Sequence, residues 1–362
     1  IVQALIHVIG FAKAFQLSEI EQLTQSVSKP IGVLWLVAAL LFVLSTTLVF
    51  LKKDWWFIIA GISIILSQIL IIMFWKDAKF GTIVNIIILL VSISAFGNHQ
   101  FNKMLKQESS QLIQDIKIEN LAIISKKDIS HLPKIVQKWM CNSGVVGKTK
   151  VVSVRLKQKG AMKTKPQSKW MAFSAKQYFD VKNPAFIWST KVDFLPIIKM
   201  VGRDKFTNGE GEMLIKLASI IPVVDEAKNE KINSSTMIRY MAEMTWFPSA
   251  ALENYMTWEG IDSTSAKAIF TFKGKAVSGV FKFSEDGEMR SFEAQRYYNS
   301  GKDATLETWF VTTKAYKNFD GFKIPSKCSA IWKLKEGDFN WLDFEISDVE
   351  YNTINLYKSM SN

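Results

Sequence analysis

The chain has 362 residues, with 45 Lys and Arg against 33 Asp and Glu, a formal net charge of +12 and a pI of about 9.4. Three uncharged apolar runs crowd residues 32–97, which excludes a chain that is water-soluble throughout. Two Cys and three His, all far apart, exclude a disulfide framework and offer no zinc-ligand spacing. No phosphate loop, dinucleotide fingerprint or nucleophile elbow occurs, so no reaction, metal or cofactor is specified.

Ile1 to Leu17 is apolar but carries His7 and Lys13. It reads as the end of a fourth membrane helix, with Lys13 snorkelling to the surface. A cleaved signal peptide is not expected, because no small-residue cleavage site precedes a polar start. His7 is either a proton carrier or a hydrogen-bond partner between helices. Gly32 to Leu51, Trp55 to Trp75 and Phe80 to Gly97 follow. About 20 apolar residues cross a bilayer core, a length the first two runs meet and the third nearly meets. Trp35, Trp55, Trp56 and Trp75 near the run ends are expected at the membrane interfaces.

Short charged turns, Lys52 to Asp54 and Lys76 to Lys79, join antiparallel neighbours. Residues 1–97 are therefore expected to form an up-down α-helical membrane bundle of three to four helices. Ser63, Ser67, Gln68 and Asn85 lie inside the runs and are expected to bond between helices. A substrate path is the alternative, although no ionisable residue accompanies them. On one side of the bundle stand Lys29, Lys76 and Lys79; on the other stand Lys52, Lys53, Lys103, Lys106 and Lys117. Five against three, the positive-inside rule then places the polar part in the cytoplasm.

Residues 98–130 read as a helical connector. Six Lys and four Asp or Glu fall in the first hundred residues, so most of the excess positive charge belongs to the polar part. That favours an anionic partner, first of all the lipid head groups; a generic basic surface is the alternative. Nucleic acid is not expected, because the Lys residues are scattered and no recognition signature appears.

His131-Leu132-Pro133 opens a short helix to Cys141, and Asn142-Ser143-Gly144 stops it. From Val151 the apolar period becomes two. It recurs over 151–157, 170–179, 186–194, 199–206 and 212–217, and then over 266–272, 276–283, 289–298, 305–313, 326–334 and 339–351. Pro184, Pro196, Asn208-Gly209, Lys273-Gly274-Lys275, Glu285-Asp286-Gly287 and Glu336-Gly337-Asp338 are the turn signals. About ten strands in consecutive order predict an antiparallel meander. One helix interrupts them. Ser234 to Trp246 puts Met237, Tyr240, Met241 and Met244 on one face, with Ser234 or Ser235 as cap and Pro248 as stop. A single amphipathic helix in a long meander must bury its stripe against the sheet. Residues 131–357 are thus expected to be an α+β domain, a curved antiparallel half-barrel wrapped on a helix.

Several stretches resemble an uncharacterised bacterial integral-membrane family, a domain of unknown function. They are Ser143-Gly144-Val145-Val146-Gly147-Lys148, Trp170-Met171-Ala172-Phe173, Gly202-Arg203-Asp204, Gly209-Glu210-Gly211-Glu212-Met213, Phe292-Glu293-Ala294-Gln295-Arg296-Tyr297 and above all Arg239 to Ala250, an RYxAExxWFPxA pattern. The resemblance covers roughly 131–352 and implies no activity. At fold level the layout is similar to lipoprotein-carrier half-barrels, which hold acyl chains between a curved sheet and helices. Those carriers work outside the cytoplasm, opposite to the side the Lys count favours.

Arg239 and Glu243, four apart, are the sharpest polar feature. They form either an anion-binding or acid site beside Tyr240, Trp246 and Phe247, or an ion pair that locks the helix to the sheet. Phe281, Phe283, Trp332, Phe339 and Trp341 are expected to point inward, as cavity walls or as ordinary core. The reading favoured by these residues is binding of an apolar or lipid-like ligand by Arg239, Tyr240, Glu243, Trp246, Phe247, Phe281 and Trp332. A membrane hydrolase or transferase using Glu243 and a scaffold or regulatory protein are the alternatives.

Overall fold

The computed structural model describes residues 1–357 apart from 22, 196, 197 and 300. The turn expected at Pro196 lies outside the described residues. The chain divides into two compact units, one built on Ile1–Met104 and the other on Leu105–Leu217 and Ile221–Leu356.

The first unit is helical: α1 (Val2–Ala14), α2 (Lys29–Phe50), α3 (Trp56–Met73), the single turn α4 (Trp75–Ala78) and α5 (Gly81–Ile113), which runs on into the second unit. Among the described residues, α2, α3 and α5 are long and apolar enough to cross a membrane; α1 is shorter. Their outward Leu, Ile and Val side chains have no water-compatible partner, so composition alone makes them poor surface helices in water. Asp77 accepts hydrogen bonds from the Thr24 and Gln25 backbone N–H groups at 2.7 and 3.1 Å, so the 18–30 loop and the 76–79 turn share one end, as expected.

Inside this unit, Gln3 Nε2 donates to Asn85 Oδ1 at 2.9 Å and to Ser67 Oγ at 3.2 Å. Asn85 Nδ2 donates to Gln68 Oε1 at 3.1 Å. The expected bonds between helices therefore form for Ser67, Gln68 and Asn85. Ser63 instead donates to the Ile59 carbonyl of its own helix. His7 also departs from expectation: its Nδ1 bonds the Gln3 carbonyl one turn earlier, within α1. Trp35 is packed inside the helical unit rather than turned outward. It is 2 % exposed and its ring lies 4.9 Å from that of His7, tilted by 47°, because it faces α1. The helical connector is shorter than expected, since α5 ends at Ile113 and Ser125 to Asp128 form a separate turn.

The second unit carries α6 (Lys134–Asn142) and a thirteen-stranded antiparallel sheet that curves without closing. Its first arm is β1 (Ser153–Met162), β2 (Met171–Asp180), β3 (Ala185–Leu195), β4 (Ile198–Thr207), β5 (Glu210–Leu217) and β6 (Ile221–Ala227). Its second is β7 (Met256–Gly260), β8 (Ser265–Phe272), β9 (Lys275–Phe283), β10 (Met289–Tyr298), β11 (Thr305–Phe319), β12 (Phe322–Leu334) and β13 (Gly337–Tyr351). The spatial order is β6 to β1, then β13 back to β7.

This corrects the single meander of about ten strands. The two arms join through β1 and β13, the first and last strands, and β6 and β7 are edge strands whose apolar alternation is too weak to read. Asn208-Gly209 and Lys273-Gly274 both have φ near +50 to +80°, the two-residue hairpin geometry that these residue types favour. At Gly160 the β13 backbone comes so close that a Cβ would fall on the Asp343 carbonyl oxygen and 2.8 Å from Phe344 Cα.

The chain between the edges is α7 (Glu230–Glu243), followed by 3-10 turns Met244–Trp246 and Pro248–Leu252. It begins four residues before the expected start. Asn229, not Ser234 or Ser235, is the cap, its side chain accepting from the Ile232 N–H at 3.0 Å. Met237, Tyr240, Met241 and Met244 are fully buried, so the predicted stripe is the buried face. α7 lies against β4, β5, β8, β9 and β10.

Candidate functional site on the inner face of the sheet

Residues of like parity on β1 to β4 share the sheet face on which α7 lies. On β2 these are Met171, Phe173, Ala175, Gln177 and Phe179; on β3 Phe186, Trp188 and Val192; on β4 Met200, Asp204 and Phe206. Cross-strand register aligns them with Leu156, Gln158 and Met162 of β1 and with Leu342 and Phe344 of β13. Three polar side chains on this apolar face, Gln158, Gln177 and Asp204, require partners, because a buried group without one costs free energy.

Trp188 of β3 partners Gln158, Glu243 of α7 partners Gln177, and Asp204 is met by Arg239 of α7. Its NH1 donates to Asp204 Oδ2 at 2.6 Å and its Nε to Glu243 Oε1 at 2.8 Å. The second Glu243 oxygen accepts from Gln177 Nε2 at 2.6 Å. Gln158 Oε1 in turn accepts from Trp188 Nε1 at 2.7 Å. The guanidinium also rests 4.7 Å from the Trp188 ring and 5.1 Å from Phe186, a stacking worth roughly 0.5–2 kcal/mol. Burial raises the Glu243 pKa, and the attraction of Arg239 offsets this only in part. Burial also opposes the charge on Arg239, but Glu243 and Asp204 together hold its pKa up. The pair is therefore a three-member bridge between α7 and β4, closed by a glutamine on β2.

The sequence-derived residues fall into four places. Arg239 and Glu243 meet in the network. Tyr240, Trp246 and Phe247 converge on Phe179, with Phe247 4.7 Å from it, and the Tyr240 hydroxyl donates to that of Tyr255, which donates to the Val181 carbonyl. Phe281 lies apart with Phe292 and Trp139, and Trp332 packs on Tyr298 at 5.1 Å. Tyr240, Phe247 and Phe281 are fully buried among other aromatic rings. Trp341 is half-buried against the core, whereas Phe283 and Phe339 are buried in it.

Sequence reasoning passed over Asp204, Gln177, Trp188 and Arg296. A signal existed for two of them. Asp204 and Arg296 occupy inward positions of strands whose other inward residues are apolar, and a charge there is exceptional. Outside this face, a cleft of about 520 Å³ is lined by His131, Pro133, Lys134, Lys138, Trp258 and Asp262.

The fold and the network define a curved antiparallel sheet that clasps one helix through buried ionic bonds. The chain belongs to DUF6920, a family of unknown function, whose family model matches residues 130–351. Among curated proteins none matches it. Among solved structures it is similar to an outer membrane lipoprotein-sorting protein domain from Vibrio parahaemolyticus, at 12 % identity over 58 % of this chain and 89 % of that one, with a TM-score of 0.34. It is also similar to a LolA superfamily protein from Nitrosomonas europaea, at 9 % identity over 63 % and 94 %, with a TM-score of 0.34. Likeness this distant says nothing about ligand or activity.

Proposed function

We propose that the chain is a membrane-anchored binding module for an apolar, lipid-like ligand, held on the part of the inner sheet face that α7 leaves uncovered. One observation carries this reading. Met171, Trp188, Met200, Leu342 and Phe344 face inward, continue the core of the sheet, and are only half-buried. A contiguous apolar surface of this kind is retained where something covers it, and Met side chains adapt to varied apolar shapes. The three apolar helices supply the anchor, and the Lys distribution favours a cytoplasmic sheet domain near anionic head groups.

Native mass spectrometry of the detergent-extracted chain, followed by lipid extraction, is expected to find a retained acyl species. Phe344→Glu is expected to lower its occupancy by about tenfold or more, since a charge on the apolar floor costs over 1.4 kcal/mol, with circular dichroism unchanged. Wild-type protein free of any acyl species would end this reading.

A hydrolase or transferase using Glu243 is the second reading, supported by the upward shift of its pKa. Both carboxylate oxygens are already bonded, to Arg239 and to Gln177. Glu243→Gln is therefore expected to weaken folding; retained folding with lost turnover of an ester or phosphoester would favour the enzyme instead.

A further inference from the structure

Arg296 is the second guanidinium on the inner face. It stands on β10 in line with Phe292 and Ala294 and is 8 % exposed. Its Nε donates to the Ser235 carbonyl of α7 at 3.2 Å, and its plane rests 4.6 Å from the Trp309 ring and 5.7 Å from Trp332. Unlike Arg239, it makes no ion pair among the described residues. Its cross-strand neighbour Glu307 does not pair with it. Asp204 and Glu243 act on it only at longer range, and both are bonded to Arg239. The buried indole N–H of Trp309 beside it also has no acceptor among the described residues.

Burial pushes the Arg296 pKa down to about 10, with repulsion from Arg239 adding to the effect and Asp204 opposing it, so the group stays charged at neutral pH. A buried cation without a bonded counter-charge is costly, and two indole faces recover part of that cost. From Arg296 the cross-strand line of Trp309, Trp332 and Phe339 leads over β11 and β12 to β13, where Leu342 begins the half-buried apolar floor.

We infer that Arg296 anchors an anionic head group, a carboxylate or a phosphate, of the ligand whose apolar chain lies along Leu342 and Phe344. The inference rests on the lipid-binding reading and adds the head-group chemistry. Guanidinium forks match both anions, and a charge-assisted hydrogen bond in a desolvated site is about twice as strong as a neutral one.

The test uses the full chain in dodecyl maltoside micelles with four probes: hexadecanoic acid, its methyl ester, hexadecyl phosphate and inorganic phosphate. The acid, the alkyl phosphate or both should bind at least about tenfold more tightly than the ester, and whichever shows the gain names the head group. Arg296→Gln should reduce that affinity to the level of the ester and leave ester binding unchanged, while Arg296→Lys should keep part of the gain. Equal binding of all three alkyl probes by the wild type would overturn the head-group inference and leave the apolar reading standing. Failure of every alkyl probe would overturn both. Displacement of the acid by inorganic phosphate would mark a free-anion site and overturn the head-group assignment. If Arg296→Gln fails to fold, the wild-type comparison of acid with ester and the Arg296→Lys variant still decide.

Discussion

Arg239→Met is expected to destabilise the chain by about 3–5 kcal/mol at neutral pH, the range for a buried ionic network that loses one partner. Methionine keeps most of the apolar stem volume of arginine, so the loss is electrostatic rather than a cavity. Asp204 and Glu243 would then be buried carboxylates without a cation. The folded pKa of Glu243, already raised by burial, would rise further once the offsetting charge of Arg239 is gone. Groups shifted in that direction favour the folded state most below the unfolded carboxylate pKa, and the benefit disappears as pH rises through the folded value. The defect should therefore be smallest near pH 4–5 and largest above pH 7. Urea unfolding of the variant and the wild type in detergent micelles, followed by tryptophan fluorescence at both ends of this range, measures it. An equal loss at both pH values would mean that packing on Trp188 and Phe186, not charge, is what Arg239 contributes.

Gly160→Ala should cost about 3 kcal/mol or more, at or above the upper end of ordinary overpacking. The added methyl has no room, because backbone atoms of Asp343 and Phe344 occupy the space, and backbone cannot swing aside as a flexible side chain can. The damage falls on the pairing of β1 with β13, the seam between the two arms of the sheet. Unfolding of the variant by the same urea titration should show a lower midpoint, with accelerated amide exchange on both seam strands. Exchange that increases elsewhere but not along 153–162 and 342–351 would refute this account of the seam.

These two positions also show what was legible beforehand. Glu243 lies one helical turn from Arg239, and spacing alone predicts that they meet. Asp204 and Gln177 come from strands 35 and 66 residues away from their α7 partners, and nothing local links them. Gly160 reads as an ordinary glycine until Asp343 and Phe344 of β13, more than 180 residues later, are laid beside it. Trp35 illustrates another limit. Hydropathy counts apolar residues in a run without saying which side faces a neighbouring helix, so the packing of Trp35 on His7 was not legible. Edge strands β6 and β7 were missed because an edge buries too little of either face to impose a strict alternation.

Residue order alone therefore determined whatever depends on neighbours a few positions apart. This includes the apolar runs long enough to span a bilayer, the period-two strands with their Asn-Gly and Lys-Gly turns, and the methionine-faced helix that had to be buried. Tertiary structure decided which strands close the gap between first and last, which charges share a helix, and that Arg296 stacks on two indoles without a carboxylate bonded to it. The physical reason is range: periodicity and turn chemistry act along the chain over a few residues, while strand pairing and the matching of buried charges are contacts across space that no local pattern encodes.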